Sequence, residues 1–271
     1  MKKYELPRYD YPNKYDQHMI KVKKIAELPK MDENYPFIDR SKKFCFMRAM
    51  IYALINTFAY LVCKIRFGFK IYGRKLLKEN EEILKNGAIT ICNHVLMWDY
   101  ILILLAIRPH QQHHAAWLNN LSGPNRHLIR LVGGVPIPAN FSAMKKFNAE
   151  IDNSIAAGEW FHVFPEGSMW YYYDKIRPFK KGAFTYAVRH NKPIVPLVIS
   201  YRKRRGIASL FTKKPAIDVH ICEPILPNTS LEKGAANFEL LTKCRTAMQK
   251  TSGFKESIDQ KDEYRICETG I

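Results

Sequence analysis

The stretch AITICNHVLMWD, from Ala88 to Asp99, sets a short, mostly apolar run in front of Asn93 and His94 and closes on Asp99. Apolar without strict alternation, and cut off by polar residues, such a run reads as a strand buried on both faces that stops at its carboxyl end. The arrangement recurs in WFHVFPEGS, Trp160 to Ser168, where Pro165 ends the run and Glu166 and Gly167 follow. Further strands are expected at 132–137, 194–200 and 216–221, with another at 115–118. Helices are expected at 98–106, 119–131, 142–157, 183–189 and 231–249. Strands alternating with helices predict an α/β fold, a largely parallel or mixed sheet flanked by helices. Ligands of such sheets bind beyond the strand carboxyl ends, so the polar stops after the two quoted runs are expected to share one crevice.

Outward from this centre the chain divides into four parts. Residues 1–43 read as a basic, partly extended arm carrying Pro7, Pro12, Pro29 and Pro36. Residues 44–78 hold an apolar helix and its basic flank, 79–250 the α/β domain, and 251–271 a tail. In the second part the cleanest apolar stretch, from Ala49 to Cys63, would make roughly 22 Å of helix, short of the ~30 Å of a bilayer core. A helix lying in one leaflet fits it better than a full span, with a buried core helix and a spanning helix extended through Phe44 as the alternatives.

The 271 residues are 47% hydrophobic and 25% charged, which excludes a disordered chain. Forty-three Lys and Arg against 25 Asp and Glu give a formal charge of +18, which calls for an anionic partner. Residues 64–78 carry six Lys or Arg and no acid, directly after the apolar stretch, a placement that suits an anionic membrane surface. Six cysteines lack zinc or disulfide spacing, and residues 1–30 lack a signal-peptide core. The cytoplasmic face of a membrane, with peripheral or monotopic attachment, is the expected location.

Three elements carry polar side chains suited to chemistry. His94 and Asp99 would stand about 140° apart on one continuous helix, but meet if His94 ends a strand and Asp99 opens the next helix. The carboxylate would then fix the imidazole tautomer and leave the other nitrogen as a general base. Glu166, Gly167 and Ser168 follow the second run. Arg177-Pro178-Phe179-Lys180-Lys181-Gly182 leads a basic loop into a helix start, an arrangement suited to a phosphate.

Taken in order, Asn93-His94-x4-Asp99, Gly134-Val135-Pro136-Ile137-Pro138, Phe164-Pro165-Glu166-Gly167-Ser168, Pro178-Phe179-Lys180-Lys181-Gly182-Ala183-Phe184 and Ile194-Val195-Pro196-Leu197 resemble the glycerolipid acyltransferase family that includes 1-acylglycerol-3-phosphate acyltransferases. The resemblance spans roughly residues 70–225. It implies His94 as general base oriented by Asp99. Asn93, Glu166, Gly167, Ser168, Arg177, Lys180 and Lys181 are then expected around the acceptor, with Lys180 near its phosphate. The chemistry implied is phosphatidate-forming acyl transfer in phospholipid biosynthesis, without metal or bound cofactor. The donor would be acyl-CoA, acyl carrier protein or an acyl phosphate, and the acceptor a lysoglycerolipid. Two family arginines are missing: Pro138-Ala139 and Met169 stand where they usually occur. Either the acceptor is a different lysolipid or glycolipid, or Lys145, Lys146, Arg177 and Lys181 substitute, although a lysine meets phosphate as a point charge without the bidentate fork.

Three other readings explain less. A metal hydrolase built on His94, Asp99, His110, His113 and His114 lacks metal-helix spacing, and those last three histidines read as loop residues. Nucleic-acid binding leaves the apolar stretch and the polar stops unexplained. A non-catalytic membrane-binding module would need neither His94 nor Asp99.

Overall fold

The computed structural model describes residues 5–206 and 208–254. Seven strands, β1 (Lys70–Tyr72), β2 (Ile89–Cys92), β3 (Gln112–Ala116), β4 (Gly134–Pro136), β5 (Trp160–Val163), β6 (Ile194–Arg202) and β7 (Ala216–Ile221), form one sheet. Their order is β1-β7-β6-β2-β5-β3-β4, parallel except where β6 meets β7. The fold is α/β, a mixed sheet flanked by helices. Central β2 is buried along its whole length between β6 and β5, which is why its sequence shows no polar face.

Helices cover both faces. Helix Asp99–Ala106 buries Leu102, Ile103 and Leu105 against one face, where Leu197, Ile199 and Val219 also pack. Helices Phe141–Ala156, Gly182–His190 and Lys233–Ser252 close the other with Phe147, Phe184, Leu241 and Met248. Burying a side chain of this size removes it from water at a gain of about 1.5–3 kcal/mol, so the faces with the most apolar residues dictate the layering.

Four expectations need correction. Helix 119–131 breaks into a 3₁₀ turn, Leu118–Ser122, and helix Arg126–Leu131, because Pro124 follows Gly123 between them. Strand β3 begins at Gln112 and not at 115, so His113 and His114 are buried strand residues and not loop residues. Residues 5–40 form no helix or strand and pack on the domain, with Phe37 fully buried against Phe147 and Arg40 paired with Glu159 at 2.7 Å. Most of residues 251–271 lie outside the described residues, but helix Lys233–Ser252 reaches into that segment.

The fourth concerns the apolar stretch. It belongs to a continuous helix, Lys42–Phe67, which includes a π-helical turn at Ile55–Ala59. Ser41 caps its start by accepting from the Phe44 amide, and Gly68, at φ 59°, ends it in the left-handed region that other residues resist. At roughly 39 Å it is long enough to cross a bilayer, so the length argument for a single leaflet fails. A core helix is also excluded, since only a thin stripe that includes Tyr52, Ile55, Cys63 and Phe67 is buried. Tyr52 fixes the stripe by donating to the carbonyls of Gln112 and Val132 at 3.0 and 3.1 Å. Phe46, Met50, Phe58, Leu61 and Ile65 face outward and are exposed.

Candidate active site

His94 lies just beyond the end of β2, and Asp99 opens the helix that follows. The intervening loop turns back, and three donors meet Asp99 Oδ2: His94 Nδ1 at 2.9 Å, the Val95 amide at 2.6 Å and the Leu96 amide at 2.9 Å. Asp99 is fully buried, and burial raises its carboxyl pKa against the opposing pull of His94 and the two amides. Phe164, at the end of β5, stacks on the imidazole with centroids 3.9 Å apart. The ring is thus held on one edge and one face while the side chain stays 24% exposed. With Nδ1 engaged by the carboxylate, Nε2 is the nitrogen left for proton transfer.

Pairing of β2 with β5 brings the two polar stops together, as the sequence pattern predicts. The loops beyond them are joined by backbone bonds, Trp170 donating to the His94 carbonyl and Tyr172 to that of Val95, each at 3.0 Å. Glu166 is buried in this junction. Its Oε2 accepts from the His94 amide at 3.0 Å and from Arg177 Nη2 at 2.7 Å, and its Oε1 from the Arg177 amide at 2.9 Å.

The expected acceptor-binding residues therefore divide into two groups. Asn93 is fully buried, and its amide exchanges hydrogen bonds of 2.8 and 3.0 Å with the Ile199 backbone. Arg177 is fully buried and bonded to Glu166, to Ser168 Oγ at 2.7 Å and to the Tyr15 carbonyl at 2.7 Å. Asn93, Glu166 and Arg177 build the loops and do not present their polar groups to a ligand. A carboxylate inside protein requires a paired cation, and Arg177 is that cation and not a substitute for a missing arginine. Gly167 and Ser168 do border open space, although the Ser168 hydroxyl donates to the Tyr15 carbonyl at 3.0 Å. Lys180 is exposed, its stem lies over Gly167, and its Nζ is 3.7 Å from Asp16. Lys181 is also exposed. Gly167 sits at φ 75°, a conformation that favours glycine, while the Lys180 stem that a Cβ would meet at 2.9 Å is flexible and exposed.

The open space is a cavity of about 470 Å³. Met97, Ile101, Leu128, Ile137, Val163 and Met169 give it an apolar wall, with His94 among the lining residues. His18, Ile20, Lys21, Val22 and Lys23 from the N-terminal arm also line it. Nothing in their sequence marked these arm residues, because the arm has no helical or strand period.

Beneath the site lies a polar cluster that the strand pattern hid. Thr90 donates to Gln112 Oε1 at 2.6 Å and lies 2.8 Å from His162 Nδ1. With the Thr90 proton directed to Gln112, His162 donates through Nδ1, and its buried Nε2 has no partner. Protonating Nε2 would strand a donor, and burial accordingly lowers the His162 pKa to about 3 and that of His114 well below its usual value. Histidine in the unfolded chain titrates near 6.5, so the unfolded state binds more protons as the pH falls below that point. Stability is expected to drop from pH 6.5 downward, by up to about 1.4 kcal/mol per pH unit for each of the two histidines. Urea midpoints measured between pH 7.5 and 5 check this, and His162→Gln should flatten the slope. A midpoint independent of pH would refute it.

A model of the acyltransferase family matches residues 69–200. This range holds the six-residue span from His94 to Asp99 with its flanks, the Glu166 junction and the basic loop that ends at Lys181. Residues 69–200 belong to the acyltransferase family. In fold, the chain is similar to the crystal structure of the 1-acyl-sn-glycerophosphate (LPA) acyltransferase PlsC from Thermotoga maritima, with a TM-score of 0.53 and 20% identity. That likeness covers 80% of this chain and 86% of the other. No curated protein matches the sequence.

Proposed function

We propose that this acyltransferase moves an acyl group from a thioester donor, acyl-CoA or acyl carrier protein, to the free hydroxyl of a lysoglycerolipid. The acceptor in this reading is 1-acylglycerol-3-phosphate and the product phosphatidate. An acyl phosphate donor would use the same acceptor chemistry. The observation that carries the reading is the His94–Asp99 pair, held at 2.9 Å beside an apolar cavity in a domain of the acyltransferase family. The acceptor assignment draws support from the solved structure of similar fold, which is an LPA acyltransferase.

His94 Nε2 takes the hydroxyl proton as the oxygen attacks the acyl carbonyl carbon. Asp99 keeps the tautomer and offsets the charge of the imidazolium. The tetrahedral intermediate collapses with loss of the thiolate, which recovers the proton from His94. Backbone amides near Gly167 are the candidates for oxyanion donors in this reading. The Gly167 amide itself is occupied, since it donates to the Phe164 carbonyl at 3.1 Å. No cofactor is part of this scheme.

Helix Lys42–Phe67 supplies the membrane contact in this reading. Its outward residues are apolar, and Lys64 and Arg66 stand in its last turn, where an anionic cytoplasmic leaflet would meet them. Attachment through this helix, lying in one leaflet or crossing the bilayer, would bring the cavity to the headgroup level, where a lysolipid already lies. An acidic carrier protein would find the same cationic surface favourable, and nucleic acid has no place in the scheme.

The test is acyl transfer in liposomes, with lysophosphatidate and monoacylglycerol as acceptors and acyl-CoA and acyl carrier protein as donors. Turnover with lysophosphatidate supports the reading. Turnover confined to monoacylglycerol would reassign the acceptor, and none with any pair would overturn the enzymatic reading.

A further inference from the structure

The family resemblance puts arginines at two places where this chain has Pro138-Ala139 and Met169, and Met169 lines the cavity. An anionic headgroup there would meet a thioether. The substitutes suggested by sequence do not line the cavity: Arg177 is buried against Glu166, Lys146 pairs with Glu150 at 3.4 Å, and Lys145 and Lys181 lie elsewhere. Cationic side chains that do line it come from the N-terminal arm.

The arm crosses the cavity as a strap tied down on both banks. On one bank the Tyr15 carbonyl accepts from Arg177 and Ser168, and the Gln17 carbonyl from Trp170 Nε1 at 3.0 Å. On the other, the Ile25 and Ala26 amides donate to the Ser122 carbonyl at 2.8 and 3.2 Å. The His18 ring stacks on Trp117 with centroids 3.8 Å apart. A Cβ on Gly123 would meet Val22 at 2.7 Å, so the strap runs close over that loop. Between these ties half-buried Ile20 and Val22 alternate with exposed Lys21 and Lys23. All four line the cavity, so the half-buried apolar pair covers its apolar interior while the exposed lysines stand at its solvated rim. Lys24, next in sequence, pairs instead with Glu27 at 3.0 Å.

We propose that Lys21 and Lys23 of the strap bind the anionic headgroup of the acceptor at the cavity mouth and so set acceptor specificity in place of the absent arginines. This rests on the lysophosphatidate reading above. Two ammonium groups on a segment fixed at both ends supply positive charge without the bidentate geometry of arginine, which suits a phosphate monoester at a solvated rim.

The test compares Lys21→Gln/Lys23→Gln with Lys14→Gln/Lys24→Gln, which removes the same charge from the same strap away from the cavity. Each enzyme is assayed in detergent micelles with lysophosphatidate and with monoacylglycerol. The proposal expects the first variant to raise the KM for lysophosphatidate about tenfold, the scale of one hydrogen bond to a charged group, with kcat held. Its preference for lysophosphatidate over monoacylglycerol should fall by the same factor, the control variant should stay within about twofold, and Lys21→Arg/Lys23→Arg should retain the preference. Equal behaviour of the two glutamine variants, or a loss confined to kcat, would overturn the proposal while leaving the lysophosphatidate reading intact. Wild-type enzyme that ignores lysophosphatidate would remove that reading, and this one with it.

Discussion

His94→Ala is expected to lower kcat for acyl transfer by about 10³–10⁴-fold, the upper range for loss of a positioned general base. The acceptor KM should move little, because in the proposed mechanism the imidazole acts on one proton in the transition state while the cavity holds the acyl chain. Asp99→Asn should lose about 10²–10⁴-fold for a different reason. The asparagine side chain can present an amide hydrogen to Nδ1, which would favour the tautomer that leaves Nε2 protonated and unable to accept. It would also disturb the Val95 and Leu96 amides, which bond the same oxygen at 2.6 and 2.9 Å. The two variants therefore separate by stability: His94 is partly exposed and its loss should leave the thermal midpoint nearly unchanged, whereas Asp99 is buried and its replacement should lower it. Thiol release from acyl-CoA measures the rate and a thermal melt the midpoint. Half of wild-type turnover in folded His94→Ala would sink the assignment of His94 as base.

The centre of this fold was legible because burial wrote it twice. In β2 and β6 both faces are covered, so apolar residues run without a break and stand out from their surroundings. The convergence of His94 and Glu166 followed from the same logic, since each ends a buried strand and the two strands pair. Edge β1 was missed, for its three residues alternate exposed, half-buried and exposed and carry little apolar signal. The start of β3 was missed for the opposite reason. Gln112, His113 and His114 look like loop residues until partners from afar are supplied: Thr90 for Gln112, and Arg48 at 3.0 Å for His113.

Among site residues the chemistry of the side chain was easier to read than its direction. His94 and Asp99 are five positions apart, and local geometry brings them together. Arg177 looked like a phosphate ligand because it stands in a basic loop, but its partners include the Tyr15 carbonyl, 162 positions away. Only tertiary structure distinguishes a guanidinium facing a ligand from one neutralising a buried acid. The strap shows the same limit, since residues 5–40 bury a side chain as large as Phe37 with no periodic pattern to announce it. Division of labour follows from these contacts. Glu166 and Arg177 fix the loops, which leaves His94, the Gly167 wall and the strap to line the cavity.

Breaking the Glu166–Arg177 pair should accordingly cost more stability than any surface change. Arg177→Met leaves a carboxylate with 1% side-chain exposure and no counter-charge, still bonded to the amides of His94 and Arg177. Removing one partner of a buried pair costs about 3–5 kcal/mol, which at this chain length lowers the thermal midpoint by roughly 10 °C. Two further losses push the same way: the guanidinium lies 4.6 Å from the Trp170 ring centroid, and it ties the strap through the Tyr15 carbonyl. Glu166→Gln should also destabilise, since it leaves the arginine charge buried and unmatched. The Glu166→Gln/Arg177→Met double variant then decides the mechanism. If the single losses come from uncompensated charge, the double variant should be less destabilised than the sum of the two, with a coupling of about 1–3 kcal/mol. Strict additivity, or single costs below about 1 kcal/mol of the kind found for surface ion pairs, would mean that the pair does not hold the loops together. Activity gives an independent reading of the same contact. Glu166 accepts from the His94 amide, so a loosened junction should reduce kcat in both single variants even at temperatures where they remain folded.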